Sequence, residues 1–115
     1  MTDDLYERIT AHGDEHTSAD DRVTTLITRC RVADFDEWRA GYARTLEAYT
    51  QIRSYRIWRN QDDPNQIVVA ETFGSRSYVE EAANHPATHE AMERDGIDMS
   101  TVQFEYYDEI DSWSL

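Results

Sequence analysis

The amino-acid sequence predicts a single α+β domain of the ferredoxin-like kind, with a four-stranded antiparallel sheet and two helices on one face. Three observations predict it. An alternating, strand-like run ends at Val32, and Asp34 then opens a helix with an aromatic inner face. Two more strand-like runs, a second helix and a last strand follow, which gives the order β-α-β-β-α-β. A chain of 115 residues has room for one such domain.

The first strand, Val23 to Val32, is apolar on both faces. One face carries Val23, Thr25 and Ile27, and the other carries Leu26, Cys30 and Val32. A strand of this kind belongs to a sheet that is covered on both sides. Since the two helices cover one side only, the pattern predicts a homodimer in which a second copy covers the other.

The first helix is predicted from Asp34, an N-cap whose capping box is completed by Glu37, to about Tyr49. One stripe at helical spacing contains Trp38, Tyr42, Leu46 and Tyr49. Gly41 lies within this helix, where glycine costs roughly 1 kcal/mol relative to alanine. Its missing side chain is expected to let another group approach closely.

The second and third strands, Ile52 to Arg59 and Gln66 to Phe73, are joined by a hairpin loop rich in turn-forming residues. Ser75 begins the second helix, which Pro86 divides because the residue before a proline avoids the helical conformation. The second piece opens with this proline and stops at Gly96.

The two ends of the chain flank this pattern. Residues 1–21 are predicted as an acidic N-terminal appendage with a short amphipathic helix, and residues 22–115 as the domain. The last strand is predicted at Val102 to Tyr107. The acidic tail behind it carries Ile110, Trp113 and Leu115, so we expect it to be ordered against a partner subunit.

Charge limits the partners. The chain has 24 acidic and 11 basic residues, all of the latter arginine, for a net charge of −13. Such a surface repels nucleic acid and anionic lipid, so neither is an expected partner. The acid excess favours a halophilic protein, since salt screens self-repulsion, over an arginine-biased genome. The N-terminus is acidic and no apolar run approaches ~20 residues, so a cytoplasmic location is expected.

Three segments together are similar to a known group of proteins. They are Val32 to Trp38 (VADFDEW), Asp62 to Val69 (DDPNQIVV) and Glu90 to Ile97 (EAMERDGI). Over roughly residues 22–110 the chain resembles the antibiotic-biosynthesis-monooxygenase-like family of the dimeric α+β barrel superfamily. Many small members with the Asp-Phe-Asp-x-Trp motif carry histidine where this chain has Cys30.

The resemblance implies a homodimer whose two sheets close face to face, with a pocket in each subunit between sheet and helices. The family includes cofactor-independent monooxygenases acting on polyketide-like phenols, haem-degrading relatives and members without known activity.

Aromatic side chains are candidates for the lining of such a pocket. Tyr42 and Trp58, which have polar tips, are the leading candidates for stacking on a flat ligand, with Tyr49 and Tyr78 beside them. Ordinary core packing is the alternative for each, and it is the expectation for Trp38.

The catalytic candidates are Tyr42, Asn84 and His85. The last two lie at the break in the second helix, where a histidine could act as a base and an amide could hold an oxyanion or dioxygen. The alternative is that both only cap helix ends.

Arg29 is a candidate cation for an anionic ligand. In so acidic a chain, pairing of the strand arginines with Glu71, Glu105 or Asp108 is the favoured alternative. No metal site is predicted: two histidine pairs have i, i+4 spacing, but a proline or glycine interrupts each and neither has an obvious third ligand.

The sequence therefore suggests a cofactor-independent monooxygenase-like enzyme acting on a small aromatic or polyketide-type compound, with no cofactor. The alternatives are a non-catalytic homodimeric module that binds a small apolar ligand, and a haem-binding relative.

Overall fold

The computed structural model describes residues 21–49 and 51–115. Its elements in chain order are β1 (Thr24–Val32), α1 (Phe35–Leu46), β2 (Ile52–Arg59), β3 (Gln66–Phe73), α2 (Arg76–Asn84), α3 (Pro86–Arg94) and β4 (Ile97–Tyr107). The predicted order is confirmed, including the division of the second helix. The short helix predicted within residues 1–21 lies outside the described residues, of which Asp21 is the first.

The four strands form one sheet in the order β2-β3-β1-β4, and all neighbours are antiparallel. This is the predicted ferredoxin-like α+β fold. Pairing of Leu26 with Glu71 and of Cys30 with Ile67 places these four side chains on the face that the helices cover. We call the opposite side the open face; it carries Ile27, Arg29 and Trp58 among others.

Helix α1 begins as predicted, because the Asp34 side chain accepts a hydrogen bond from the Glu37 amide at 2.9 Å. It ends at Leu46, three residues before the predicted end at Tyr49. The amide of Tyr49 bonds to the Leu46 carbonyl three residues back, which is the tightened turn that often closes a helix. Tyr49 still packs inward, with its ring 5.5 Å from that of Phe73.

The break between α2 and α3 has the predicted cause. His85 precedes Pro86 and has an extended backbone, with φ −71° and ψ 134°. Strand β4 begins at Ile97, five residues before the predicted Val102, because Gly96 at φ +89° turns the chain directly into the sheet. Residues 97–101, which the prediction left out, are mostly polar, so the alternation of apolar and polar side chains there is too weak to indicate a strand.

The side chains between the sheet and the helices form the core. Among those with almost no exposure are Ile67, Phe73, Tyr78 and Val79, and Trp38 is buried as expected. In the described part of the chain, no helix is both long enough and apolar enough to span a bilayer.

Large apolar side chains are exposed on the open face and in the tail. Trp58 is 50% exposed and Tyr107 49%, and in the tail Ile110 is 89% and Trp113 83% exposed. Residues 108–115 form no helix or strand. Within one protomer the tail is therefore uncovered, and its contact with a partner subunit stays a prediction.

Candidate functional site

A cavity of about 80 Å³ lies between the helices and the covered face of the sheet. Its walls are mainly apolar and include Leu26, Val69, Phe73, Val79, Ala83 and Phe104. The volume is several times the ~10–15 Å³ that one water molecule needs. It is well below the ~300–1,000 Å³ of pockets for drug-sized ligands. The cavity thus suits a small organic molecule.

Glu71 is the central polar group of the cavity wall. It projects from β3 between Val69 and Phe73, on the covered face, and is 7% exposed. Its Oε2 atom accepts a hydrogen bond of 2.6 Å from the Tyr42 hydroxyl. Burial raises the pKa of the Glu71 carboxyl from 4.5 to about 7, and the hydrogen bond from Tyr42 opposes this rise in part. Near neutral pH the carboxyl is therefore divided between its acid and its carboxylate form.

Tyr42 is held in place by aromatic neighbours. Its ring stacks on Trp38, with centroids 5.2 Å apart, and meets the edge of Tyr55 at 5.7 Å. Burial, and after it the nearby charge of Glu71, raises the pKa of Tyr42 far above its usual range. Tyr42 consequently stays protonated and acts as a fixed hydrogen-bond donor to the carboxyl.

A second carboxyl, that of Asp95, closes another part of the cavity wall. Its side chain lies against Gly41, where an added methyl group would overlap it, so the expected close approach at this glycine is confirmed. Burial raises the pKa of Asp95, although the guanidinium of Arg94 lies 3.7 Å away and acts in the opposite direction. Asp95 also lines an outer groove that contains Arg44.

Cys30 and Thr88 also line the cavity, as do Thr28 and Thr45. Burial raises the pKa of the Cys30 thiol to about 11, so this cysteine stays a thiol and is a poor nucleophile at neutral pH. The Thr88 hydroxyl is buried without a hydrogen-bond partner in the described structure.

Two of the seven sequence-predicted site residues, Tyr42 and Tyr49, line this cavity. Tyr78 is fully buried in the core beside Phe73. Trp58 and Arg29 lie on the open face, away from the cavity, because strand alternation directs their side chains there. Arg29 pairs with Glu105 at 3.3 Å, as the alternative predicted.

The two residues at the helix break make local hydrogen bonds instead of facing the cavity. The His85 Nδ1 atom accepts from the Ala87 amide at 3.0 Å, and the exposed Asn84 amide donates to the Glu80 carbonyl at 2.8 Å. This is the helix-end role that was the alternative for both. Neither lines the cavity.

Sequence reasoning missed Glu71 as a site residue. The available signal was a single acid on a strand face that is otherwise apolar, with Ile67, Val69 and Phe73. Glu71 was expected to pair with a strand arginine, but its partner is Tyr42. Within residues 21–49 and 51–115, no group of three or more histidine, cysteine or acidic side chains is placed to hold a metal.

No family model and no curated protein matches the sequence. Solved structures of similar fold include SnoaB, a cofactor-independent oxygenase from Streptomyces nogalater. It has a TM-score of 0.60 and 16% identity, covering 78% of this chain and 95% of that one.

Two further structures are candidate antibiotic biosynthesis monooxygenases. The protein from Chloroflexus aurantiacus has a TM-score of 0.60 and 16% identity, covering 80% of this chain and 97% of its own. The protein from Caulobacter crescentus has a TM-score of 0.59 and 14% identity, covering 79% and 92%. At such identities the likeness shows the fold, and the resemblance predicted from the sequence is confirmed at that level.

Proposed function

We propose that this protein is a small monooxygenase-like enzyme that needs no cofactor and acts on a one-ring aromatic or small polyketide-type compound, with Glu71 as its general base. The observation that supports this most is the Glu71–Tyr42 pair in an apolar cavity. A general base works best when its pKa lies near the operating pH, and burial is the usual way to bring a glutamate there. Burial has this effect on Glu71, whose pKa rises to about 7.

The proposed chemistry begins with proton transfer. The Glu71 carboxylate removes a proton from a carbon beside a carbonyl or from a phenol hydroxyl, and delocalisation of the resulting anion places negative charge on a carbon atom. The carbanion reduces dioxygen directly and forms a carbon–oxygen bond, and protonation gives a hydroperoxide. Loss of water then leaves a carbonyl, so that a CH₂ group and O₂ become C=O and H₂O; with a phenol, the ring CH and the O–H supply the two hydrogens and the product is a quinone. The substrate supplies all the electrons, and Tyr42 holds the carboxyl in position.

The structural neighbours support the same proposal. SnoaB has this fold and is a cofactor-independent oxygenase. We infer that the chain belongs with the antibiotic-biosynthesis-monooxygenase-like proteins and forms a homodimeric barrel. The open face, on which Trp58 and Tyr107 are half exposed, fits the covering of one sheet by another.

Oxygen uptake tests the proposal. A panel of one-ring phenols, dihydroxybenzenes and cyclic 1,3-diketones is offered to the protein, and dioxygen is followed with an electrode. Glu71→Gln should lower kcat/KM by roughly 10²–10⁴-fold, the usual contribution of a general base. In the parent protein, kcat/KM should rise with pH to a plateau, with its midpoint near 7. Glu93→Gln, which changes an exposed acid, is the matched control.

A non-catalytic module that binds a small apolar ligand is the second candidate, and the mainly apolar lining favours it. In that case Glu71→Gln would bind the same phenols as the parent, and neither protein would consume dioxygen. Haem binding has less support, because the two described histidines, His85 and His89, contact backbone groups and neither lines the cavity. A Soret band after addition of haem would revive it.

A further inference from the structure

One polar group of the cavity wall has an unpaired hydroxyl, and the proposed proton transfer does not use it. Thr88 lies in the first turn of α3, is 6% exposed and forms part of the cavity wall. Its hydroxyl oxygen is the one buried side-chain oxygen or nitrogen without a hydrogen-bond partner among the described residues. Native proteins rarely leave such a group unpaired, so an unpaired hydroxyl beside a cavity points to a partner that enters the cavity.

No group of the described structure forms a hydrogen bond with the Thr88 hydroxyl in place of that partner. Threonine within a helix often bonds to the carbonyl one turn earlier, but here that carbonyl belongs to Asn84, before the break at Pro86, and no such bond forms. The amide of Thr88 is already bonded to the His85 carbonyl at 3.0 Å. The side-chain hydroxyl is thus the group left over, and it can both donate and accept.

Thr88 and Glu71 come from different walls of the cavity. Glu71 rises from the sheet and Thr88 comes from the helical layer. Both residues line the cavity, so a molecule inside it can lie against the Glu71 carboxyl, the Thr88 side chain and the apolar walls. The small volume leaves room for little more than one ring between these two polar points.

We propose that Thr88 is a specificity-determining residue that binds a second oxygen function of the substrate. The substrate class is then a one-ring compound with two oxygen functions: one acidifies the position facing Glu71, and the other, a hydroxyl or carbonyl, bonds to Thr88. A site built to bond such a group discriminates strongly against analogues that lack it, because its own polar atom is then left unpaired. This inference rests on the proposed function, since it concerns the same cavity.

Ligand pairs that differ by one hydroxyl test the inference. Binding of phenol, resorcinol and hydroquinone is measured calorimetrically under nitrogen, so that no oxidation occurs. The parent should bind at least one of the two dihydroxybenzenes about 10-fold or more tightly than phenol, the ratio expected for a bond worth about 1.4 kcal/mol. Thr88→Val, which has the same shape without the hydroxyl, should abolish this ratio and leave the Kd of phenol unchanged. Thr88→Ser should retain it.

The control is Thr72→Val, on the open face, where Thr72 bonds to Thr25 at 2.8 Å. It should leave all three Kd values unchanged. Equal weakening of phenol and dihydroxybenzenes by Thr88→Val, or an absence of any preference in the parent, would overturn the inference.

Melting of the ligand-free proteins gives an independent readout. If the Thr88 hydroxyl has no internal partner, Thr88→Val should melt at or above the temperature of the parent, because an unpaired buried hydroxyl is removed. A clearly lower melting temperature would show that the hydroxyl is satisfied within the protein, against the inference. The two proposals fail on different results. If the parent protein does not prefer a dihydroxybenzene to phenol, only the role of Thr88 is contradicted. If Glu71→Gln takes up oxygen as fast as the parent, only the role of Glu71 as general base is contradicted.

Discussion

Replacement of Glu71 by glutamine should stabilise the protein at alkaline pH and have little effect at acid pH. The carboxyl has a pKa of about 7 in the folded protein and an ordinary value of 4.5. Between these two values the folded state binds more protons than the unfolded state, so the free energy of unfolding falls as the pH rises. At about 1.4 kcal/mol per pH unit, the loss amounts to about 3 kcal/mol above pH 7 and vanishes below pH 4.5.

Glutamine keeps the geometry but cannot ionise. Its carbonyl oxygen can accept the hydrogen bond from Tyr42 that Glu71 accepts at 2.6 Å. The difference in unfolding free energy between Glu71→Gln and the parent should thus be near zero at pH 4.5 and approach about 3 kcal/mol at pH 8.5. For a domain of this size that difference corresponds to roughly 10 °C in melting temperature.

Urea denaturation at a series of pH values measures this difference. Both proteins are kept at one concentration, because any dimer links stability to concentration. Contributions from other titrating groups cancel in the difference between the two curves. Glu93→Gln, at an exposed position of α3, should instead give a curve parallel to that of the parent. If the curve for Glu71→Gln were also parallel to that of the parent, burial would not raise the pKa of the Glu71 carboxyl. The main evidence for Glu71 as a general base would then be removed.

Three further predictions follow from packing and charge. Gly41→Ala should lower stability in urea by up to about 2 kcal/mol, because the overlap of its methyl group with the Asp95 carboxyl costs about 1–3 kcal/mol and alanine regains roughly 1 kcal/mol in a helix. Asp95→Ala should remove the overlap, so an equal loss in both backgrounds would contradict the contact. Light scattering should give a dimeric mass, and deletion of residues 110–115 should shift this mass towards that of the monomer. A truncated protein that stays dimeric and melts like the parent would show that the tail contributes nothing to the dimer's stability. The melting temperature should rise between low salt and molar KCl, because a net charge of −13 repels itself when unscreened; a flat profile would leave composition bias as the explanation of the acid excess.

The fold could be predicted from the sequence because its signals are local. Asp34 and Ser75 cap helices, Pro86 divides one, and the alternation from Gln66 to Phe73 gives β3 with its observed bounds. The early part of β4 could not be predicted, since Asp98 and Ser100 are polar and the pairing of Asp98 with Arg31 depends on β1.

The site was harder to predict because it depends on distant contacts. Tyr42 was identified from the helical stripe, but its partner Glu71 lies 29 residues away in the chain. Alternation indicates only that Glu71 shares a face with apolar residues; it cannot distinguish a buried carboxyl from one that reaches an arginine at the sheet edge. At the helix break, His85 and Asn84 have side chains suited to catalysis and equally suited to capping; in the structure both side chains bond to backbone groups at the helix ends.

The stability cost of Glu71 is itself an argument for function. Domains of this size are stable by roughly 5–15 kcal/mol, so about 3 kcal/mol at neutral pH is a large fraction. One substitution, to glutamine, would recover it without loss of the hydrogen bond to Tyr42. Thr88 presents the same situation, since valine would fill its place without an unpaired hydroxyl. Both residues line one cavity, and the rest of the described core has no comparable unpaired side-chain atom. Stability is commonly given up where activity requires it, so the position of these two residues in one small cavity supports the proposal of a functional site there.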